Sequence, residues 1–471
     1  MAESTAEATG GDLELLTAPV KKTYNKYALV TMQGMAAQII MVILEGVIMG
    51  AGLGAHGLAC VSIIMSVEYI NLSFGNLFGT GVPTVMGNRL GAGDREGAKH
   101  VFGQGFWFTT YVAIAVAVVF ELFAVPLATF FGATPDILAD SAAGIRTFGV
   151  FLAFTIIGQM LTGVLRVIEK PQQSANLMTA SAVIAIGWLA LAVLVLRLGV
   201  PGAGIYYGLS IGIWAAGIVY FVGPKAEFKV TAKEMKPDFA VWGQIFKIGF
   251  PFFVTQAGTF VYNTVVNNLL GQLGGKDGSL YIGAFAVING YIVYIIMMFV
   301  NALTYGLQPL ASVNNGASRY DRLKEALDWS LVVQVVVTAI LTVVVVAFAA
   351  PISGFFDGGD PALTDAAAHA VRIMCLASVL GFMGAMVSSY LQSVEKVVLA
   401  TVASLLRYVI LACPLMITIG NAMGTVDGVW YGLLAADILT GVVCLGIVAV
   451  ENRRLDKLAV QSDARAEGSE A

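Results

Sequence analysis

Twelve apolar stretches of about 20 residues constrain this chain more than any other feature. They lie near 28–49, 58–82, 103–131, 146–165, 176–197, 202–222, 246–271, 281–308, 329–355, 371–393, 398–419 and 428–450. A helix of about 20 apolar residues crosses the roughly 30 Å hydrocarbon layer of a bilayer. In lipid every backbone N–H and C=O needs an internal partner, so each stretch must be helical. Composition agrees: 58% of residues are hydrophobic and only 12% charged, against roughly 45–50% and about 25% in soluble domains. The expected fold class is therefore an all-α membrane protein with twelve transmembrane helices.

Lysine and arginine set the orientation, because they concentrate in cytoplasmic loops. Of the 26 such residues, all but Arg146, Arg197, Lys276 and Arg372 fall at the N-terminus, in or near the even-numbered connections, or at the C-terminus. Both termini are thus expected in the cytoplasm. The most basic connection, PKAEFKVTAKEMKP, is the sixth and divides the chain in half. The expected organisation is a disordered tail at 1–20, an N-lobe at 21–222, a cytoplasmic linker at 223–243, a C-lobe at 244–455 and a second disordered tail at 456–471. The N-terminal tail lacks the basic and compact apolar regions of a signal peptide.

The same composition excludes several functions. The net charge of -4 comes with no basic patch for nucleic acid. Cys60, Cys375, Cys413 and Cys444 sit in apolar runs with no CxxC or CxxH spacing, so they read as small core residues. His56, His100 and His369 are scattered, so neither a zinc site nor any other metal site is expected. No P-loop or nucleophile motif is present, which argues against an enzyme and against direct ATP drive. No cofactor is expected.

The two halves repeat. GNLFGTGVPTVMGNRLGA (75–92) aligns with VNALTYGLQPLASVNNGA (300–317), matching Asn76 to Asn301, Gly81 to Gly306 and Gly91-Ala92 to Gly316-Ala317. GQMLTGVLRVIEK (158–170) aligns with GAMVSSYLQSVEK (384–396), and GIYYGL (204–209) with GVWYGL (428–433). The three offsets are 225, 226 and 224, nearly constant. Six spans per half is an even number, so the repeats are parallel, related by a pseudo-two-fold axis along the membrane normal. That is a transporter architecture, with a central cavity between two six-helix lobes that opens alternately to each side.

These segments resemble the multidrug and toxic compound extrusion (MATE) family over about residues 20–455. The resemblance is carried by LEGVIMGAGLG in the first span, GTGVPTVMGNRLGAGD after the second, LTGVLRVIEKP after the fourth, IGFP (248–251) opening the seventh, YGLQPLASVNNGA in the eighth and GVWYGLLAAD in the twelfth. It is most similar to a bacterial drug-exporter branch. The resemblance implies two six-helix lobes around a cavity, and expulsion of bulky organic cations against an inward flow of protons or sodium ions. It also implies a monomer in the plasma (inner) membrane whose partners are a small organic cation and the bilayer.

Many family members carry an acid in the first span five positions before a glycine, and Glu45 stands so before Gly50. A charged side chain at the bilayer centre costs roughly 2.5 kcal/mol or more, so intramembrane acids face an interior and mark an ion path. A carboxyl held out of water favours its neutral form, and one balanced near neutrality takes a proton outside and releases it inside. Gln38, seven residues earlier on the same helical face, is placed to hydrogen-bond it. The plainer reading is that Glu45 caps or pairs a helix end near the outer interface. Glu68 is a second acid, sharing a face with Asn71 and Gly75. It couples to Glu45, attracts a cationic substrate, or makes a buried hydrogen bond. Asp437, in the twelfth span, serves substrate or ion, or pairs with Arg407. Glu121 reads as structural or interfacial.

Two departures from the family bear on the coupling ion. Proton-coupled members often have an Asn and, four residues on, an Asp in the fifth span; here the matching positions are Ile184 and Trp188. Sodium-coupled members use acids in the seventh and tenth spans. Here the seventh offers Gln256, Asn263, Asn267 and Asn268, and VLGFMGAMVSSYLQ in the tenth has no acid, which favours protons. The candidate coupling residues are Glu45, Glu68 and Gln38. The candidate substrate-binding residues are Glu68, Asn71, Gln256, Asn263, Asn267, Tyr291 and Asp437. Two other readings compete. A lipid-linked saccharide flippase needs a basic cavity, whereas these spans carry acids. A non-transporting receptor leaves the repeated halves unexplained.

Overall fold

The structure is a computed structural model and describes residues 13–356 and 360–470, the side chains of residues 55, 356 and 462–470 excepted. Ten helices are long and apolar enough to cross a membrane: Val20–Gly54, His56–Gly91, Arg95–Leu122, Leu138–Val167, Pro171–Val195, Gly199–Phe221, Gly275–Gly316, Tyr320–Ala347, Val397–Met423 and Val426–Gln461. Pro361–Met374 and Ser378–Ser393 pass the same test together and are bent by 63° at the break between them. The helix Phe239–Leu273 occupies the remaining expected position, its apolar run diluted by Gln256, Asn263, Asn267 and Asn268. All twelve expected windows are therefore helical. Spans are numbered first to twelfth below in chain order.

Local sequence explains where these helices break. The helix that starts at Val20 runs to Gly91 and is interrupted only at Gly54, with φ 63° and ψ −174°. Only glycine adopts that conformation without steric penalty, so Gly54 separates the first span from the second. Leu29, Ile40 and Val47 stay exposed along the first span, a face suited to hydrocarbon. π-helical turns occur at Leu191–Val195, Ile288–Val293 and Leu406–Ala412. The last is followed by Pro414, which lacks an N–H and crowds the carbonyl four residues back.

The repeat extends to backbone detail. Glu169 and Glu395, at corresponding places after the fourth and tenth spans, both have positive φ, 63° and 61°. Each is followed by a lysine whose N–H reaches back to a leucine carbonyl at 2.8 Å, Lys170 to Leu165 and Lys396 to Leu391. This is the left-handed helix stop of a Schellman motif. Gly93 and Ser318 form a second such pair, with φ of 77° and 55°.

Contacts divide the chain into two compact units, Met1–Phe253 with Ser312–Ser318, and Val254–Ala311 with Arg319–Ala471. In the first, small residues let spans cross closely. A Cβ on Gly163 would strike the Gly79 carbonyl and Pro83, and one on Gly204 the Gly144 carbonyl. The polar connection 223–243 lies along the third span. Gln104 donates to the Glu234 and Lys236 carbonyls and accepts from the Asp238 N–H and the Trp242 ring N–H. His100 bridges Glu234 and Asp238 at 3.0 and 3.1 Å. That hydrogen bond from His100 leads the contacts holding the Asp238 carboxyl below its ordinary range. The second unit packs Val266, Leu270, Phe285, Met416 and Trp430 into one apolar core.

Both expected tails differ from the structure. Residues 1–12 lie outside the described residues, but Glu14–Thr17 is helical. The Leu15 side chain is buried, its N–H donates to Glu169, and its carbonyl accepts from Asn314. At the other end the helix that starts at Val426 continues to Glu470. Asn452 bonds Asp328, and Lys324 pairs with Asp456; both contacts tie this helix to the ninth span. The four cysteines are buried and free, as their apolar surroundings suggested.

Candidate functional site

Glu45 is held from across the first unit by two consecutive tyrosines of the sixth span. The Tyr206 hydroxyl donates to one carboxylate oxygen at 2.9 Å and the Tyr207 hydroxyl to the other at 2.5 Å. Both tyrosines are buried, at 0% and 3% exposure, and their rings meet edge to face. Glu45 is itself part-buried. A carboxylate accepts only, whereas a protonated carboxyl must also donate. A tyrosine hydroxyl both donates and accepts, so either one can bond the ionised or the protonated carboxyl.

The expected helper is not the observed one. Gln38 is buried, but its amide donates to the Met178 carbonyl at 2.9 Å and not to Glu45. Gln38 and Met178 face each other where the first span passes the fifth, so the amide is used there. Nor does the fifth span replace the missing Asn and Asp: Ile184 is exposed and the Trp188 ring donates to the Gly202 carbonyl. The signal for the tyrosines was present in GIYYGL. That segment aligned with GVWYGL, which puts Trp430 and Tyr431 in their places, so the hydroxyl pair belongs to the first half alone.

Glu68 lies near enough for its charge to act on Glu45 and on Tyr207. It is part-buried and has no hydrogen-bond partner among the described residues. Asn71, one turn on, is buried and accepts from Thr155 at 2.8 Å. The face that Glu68 and Asn71 share thus splits into one acid without a hydrogen bond and one satisfied amide.

In the second unit the expected residues separate. Asp437 receives two parallel hydrogen bonds from Arg407, Nε at 2.7 Å and Nη2 at 3.1 Å. Gly381 makes room for it, since a Cβ there would collide with the carboxylate. The guanidinium also stacks over Phe382, 4.1 Å from the ring centroid. The expected contact between Asp437 and Arg407 is present. A small cavity beside the pair is lined by Tyr262, Asn289, Arg407, Tyr408 and Asp437, among others. Two of the π-helical turns border it, supplying Asn289 and Arg407; such turns often mark functional positions. Asn263 accepts from Asn289 at 3.2 Å and so lies next to this cavity. Asn267 is exposed, and Gln256 and Tyr291 are part-buried; none of the three lines it.

Twelve spanning helices, a sequence repeat and an intramembrane acid in a polar pocket define a polytopic helical transporter. Comparison with known proteins gives the family. The MatE family model matches residues 31–190 and 251–418, and the chain belongs to that family. The multidrug export protein MepA of Staphylococcus aureus (strain MRSA252) is 26% identical over 444 residues, covering 93% of this chain and 95% of that protein. MepA of Staphylococcus haemolyticus (strain JCSC1435) is 24% identical over 435 residues, with 92% and 94% covered. Among solved structures, an outward-facing multidrug resistance MATE family transporter of the MOP superfamily superposes with a TM-score of 0.86 at 18% identity, covering 97% of this chain and all of that one. A MOP superfamily transporter from Pyrococcus furiosus, described as having a binding pocket of reverse polarity, gives 0.88 at 18% identity, with 97% and 99% covered. The relatives are transporters and not enzymes, in accord with the sequence reading.

Proposed function

We propose that this protein is a multidrug exporter that expels organic cations by alternating access, driven by inward proton flow through Glu45. Drug export is supported by the MepA relatives, which align over nearly the full length. The observation that carries proton coupling is the Glu45 carboxyl between two buried tyrosine hydroxyls, with Glu68 within electrostatic reach. Those hydroxyls let Glu45 lose and regain a proton without leaving an unpaired charge. Glu68 has no hydrogen bond among the described residues and is the cation-attracting partner of the pair. A bound organic cation and a proton then compete for the same negative charge, which is how an antiporter couples two flows.

On this reading the protein is a plasma-membrane monomer, and the basic residues at both ends and in the linker support cytoplasmic termini. Sodium coupling is disfavoured, because the second unit's acid is already neutralised by Arg407. The test uses the protein in liposomes loaded with a fluorescent organic cation, with a pH gradient or a sodium gradient imposed separately. Efflux is expected under the pH gradient only, and Glu45→Gln should abolish it. Equal efflux by wild type and Glu45→Gln under the pH gradient removes the coupling assignment.

A further inference from the structure

The fold brings together three side chains that the sequence scatters. His56 and Cys60 lie one helical turn apart, at i and i+4, in HGLAC at the start of the second span. Asp140, at the start of the fourth span, closes on them. The His56 Nε2 and Asp140 Oδ2 atoms are 2.9 Å apart. One ligand atom from each of the three residues lies within 4.8 Å of the others, the sole such group of His, Cys, Asp and Glu among the described residues. The expectation of no metal site rested on linear spacing, whereas helix packing brings these three side chains together.

We propose that His56, Cys60 and Asp140 form a binding site for a borderline-soft divalent cation of the zinc class. The donor set is one imidazole nitrogen, one sulfur and one carboxylate oxygen, the mixed set that Zn²⁺ accepts. Tetrahedral coordination at about 2.0–2.3 Å per bond separates ligand atoms by roughly 3.3–3.6 Å, so small side-chain rotations complete it. The site has a closed floor and an open top. Cys60 is fully buried, while the His56 and Asp140 side chains are about half exposed, at 52% and 56%. An ion enters from that side, and water takes the fourth position.

A second observation points the same way. Among the described residues the buried Ser141 hydroxyl makes no hydrogen bond of good geometry, and it lies beside the Cys60 thiol, close enough to interact with it. The Cys60 thiol now points to the Ile137 carbonyl at 3.8 Å. On binding, the metal takes the sulfur as thiolate and the proton leaves to solvent. The thiolate is then an acceptor for Ser141, which satisfies the hydroxyl and orients the ligand as outer-shell groups do. Asp136, whose carboxylate feels His56, adds negative potential at the entrance. The second half offers a comparison: His369 and Asp427 pair at 2.9 Å, with no thiol joining them. By the lysine and arginine distribution this end of the N-lobe faces outward, so the ion would staple the second span to the fourth at the outer surface.

The test uses full-length protein in detergent, freed of metals and of any affinity tag, with Co²⁺ or Zn²⁺ as the probe. Wild type should bind one Co²⁺ per chain with thiolate-to-cobalt charge-transfer absorption, displaced by Zn²⁺. Cys60→Ser should lose that absorption, and Zn²⁺ affinity should fall at least about tenfold. His56→Asn, a smaller polar side chain at an exposed position that leaves the core intact, should weaken Zn²⁺ by a similar factor. His369→Asn should change nothing. Absence of the charge-transfer band in wild type, or unchanged Zn²⁺ affinity in both Cys60→Ser and His56→Asn, would overturn the site.

Discussion

Replacing Asp437 by Asn removes one charge from a pair that is almost entirely out of water: the side chains of Asp437 and Arg407 are 6% and 14% exposed. Losing one partner of a buried pair costs about 3–5 kcal/mol, because the other charge stays buried and uncompensated. Here the guanidinium keeps the ring faces of Phe382 at 4.1 Å and Tyr408 at 5.5 Å, which return roughly 1 kcal/mol. The expected net loss is therefore about 2–4 kcal/mol for Asp437→Asn, whereas Arg407→Gln also removes the ring contacts and should lose the full amount, about 3–5 kcal/mol. At roughly 2 °C per kcal/mol for a large chain, the two changes should lower the midpoint by about 4–8 °C and about 6–10 °C. The double variant replaces the ions with two amides that can bond each other, and should recover to within about 1 kcal/mol of wild type, a coupling energy of roughly 4 kcal/mol or more. The assay is thermal unfolding in detergent, followed by circular dichroism and tryptophan fluorescence. Single variants that melt with wild type, or a double variant that loses the sum of the two, would refute a buried, mutually dependent pair.

Other outcomes follow from the same coordinates. Tyr206→Phe/Tyr207→Phe should leave the protein folded but cut pH-driven efflux from liposomes toward the level of Glu45→Gln; full activity in the double variant would mean the hydroxyls do not serve Glu45. Asp238 lies outside the spans and its folded carboxyl titrates below the ordinary value, with the His100 hydrogen bond as the largest cause. The stabilisation from that pair is thus present above the ordinary carboxylate range and lost as pH falls through the folded value. His100→Ala should move the Asp238 titration, read by carbon-13 NMR, upward, and an unmoved midpoint would disprove the linkage. Glu395→Gly relieves a positive φ and should stabilise by up to about 1 kcal/mol. Glu169→Gly relieves the same strain but deletes the acceptor of the Leu15 N–H, so its melting point should lie below that of Glu395→Gly; the reverse order would show that the Leu15 contact contributes nothing.

Hydrophobic length and the repeat were legible in the sequence because they are one-dimensional. A run of about 20 apolar residues has one stable form in lipid, whatever it packs against. The same holds for Glu169-Lys170 and Glu395-Lys396, where a local helix stop recurs with its residues. That Glu45 must have partners was readable too, since an acid in such a run needs one wherever it lies. Its partners were not. Gln38 was chosen by periodicity along one helix, but periodicity gives a face and not the neighbour across it, and that neighbour proved to be the Met178 carbonyl. Tyr206 and Tyr207 are more than 160 residues from Glu45 in sequence, and only the packing of the sixth span against the first brings their hydroxyls to it. Ordering of Leu15 by Glu169 and Asn314, and the meeting of His56 and Cys60 with Asp140, have the same origin. Sequence fixes what a segment can do alone in its solvent; hydrogen bonds and ion pairs between segments depend on distances of about 3 Å, and those are set when the helices dock.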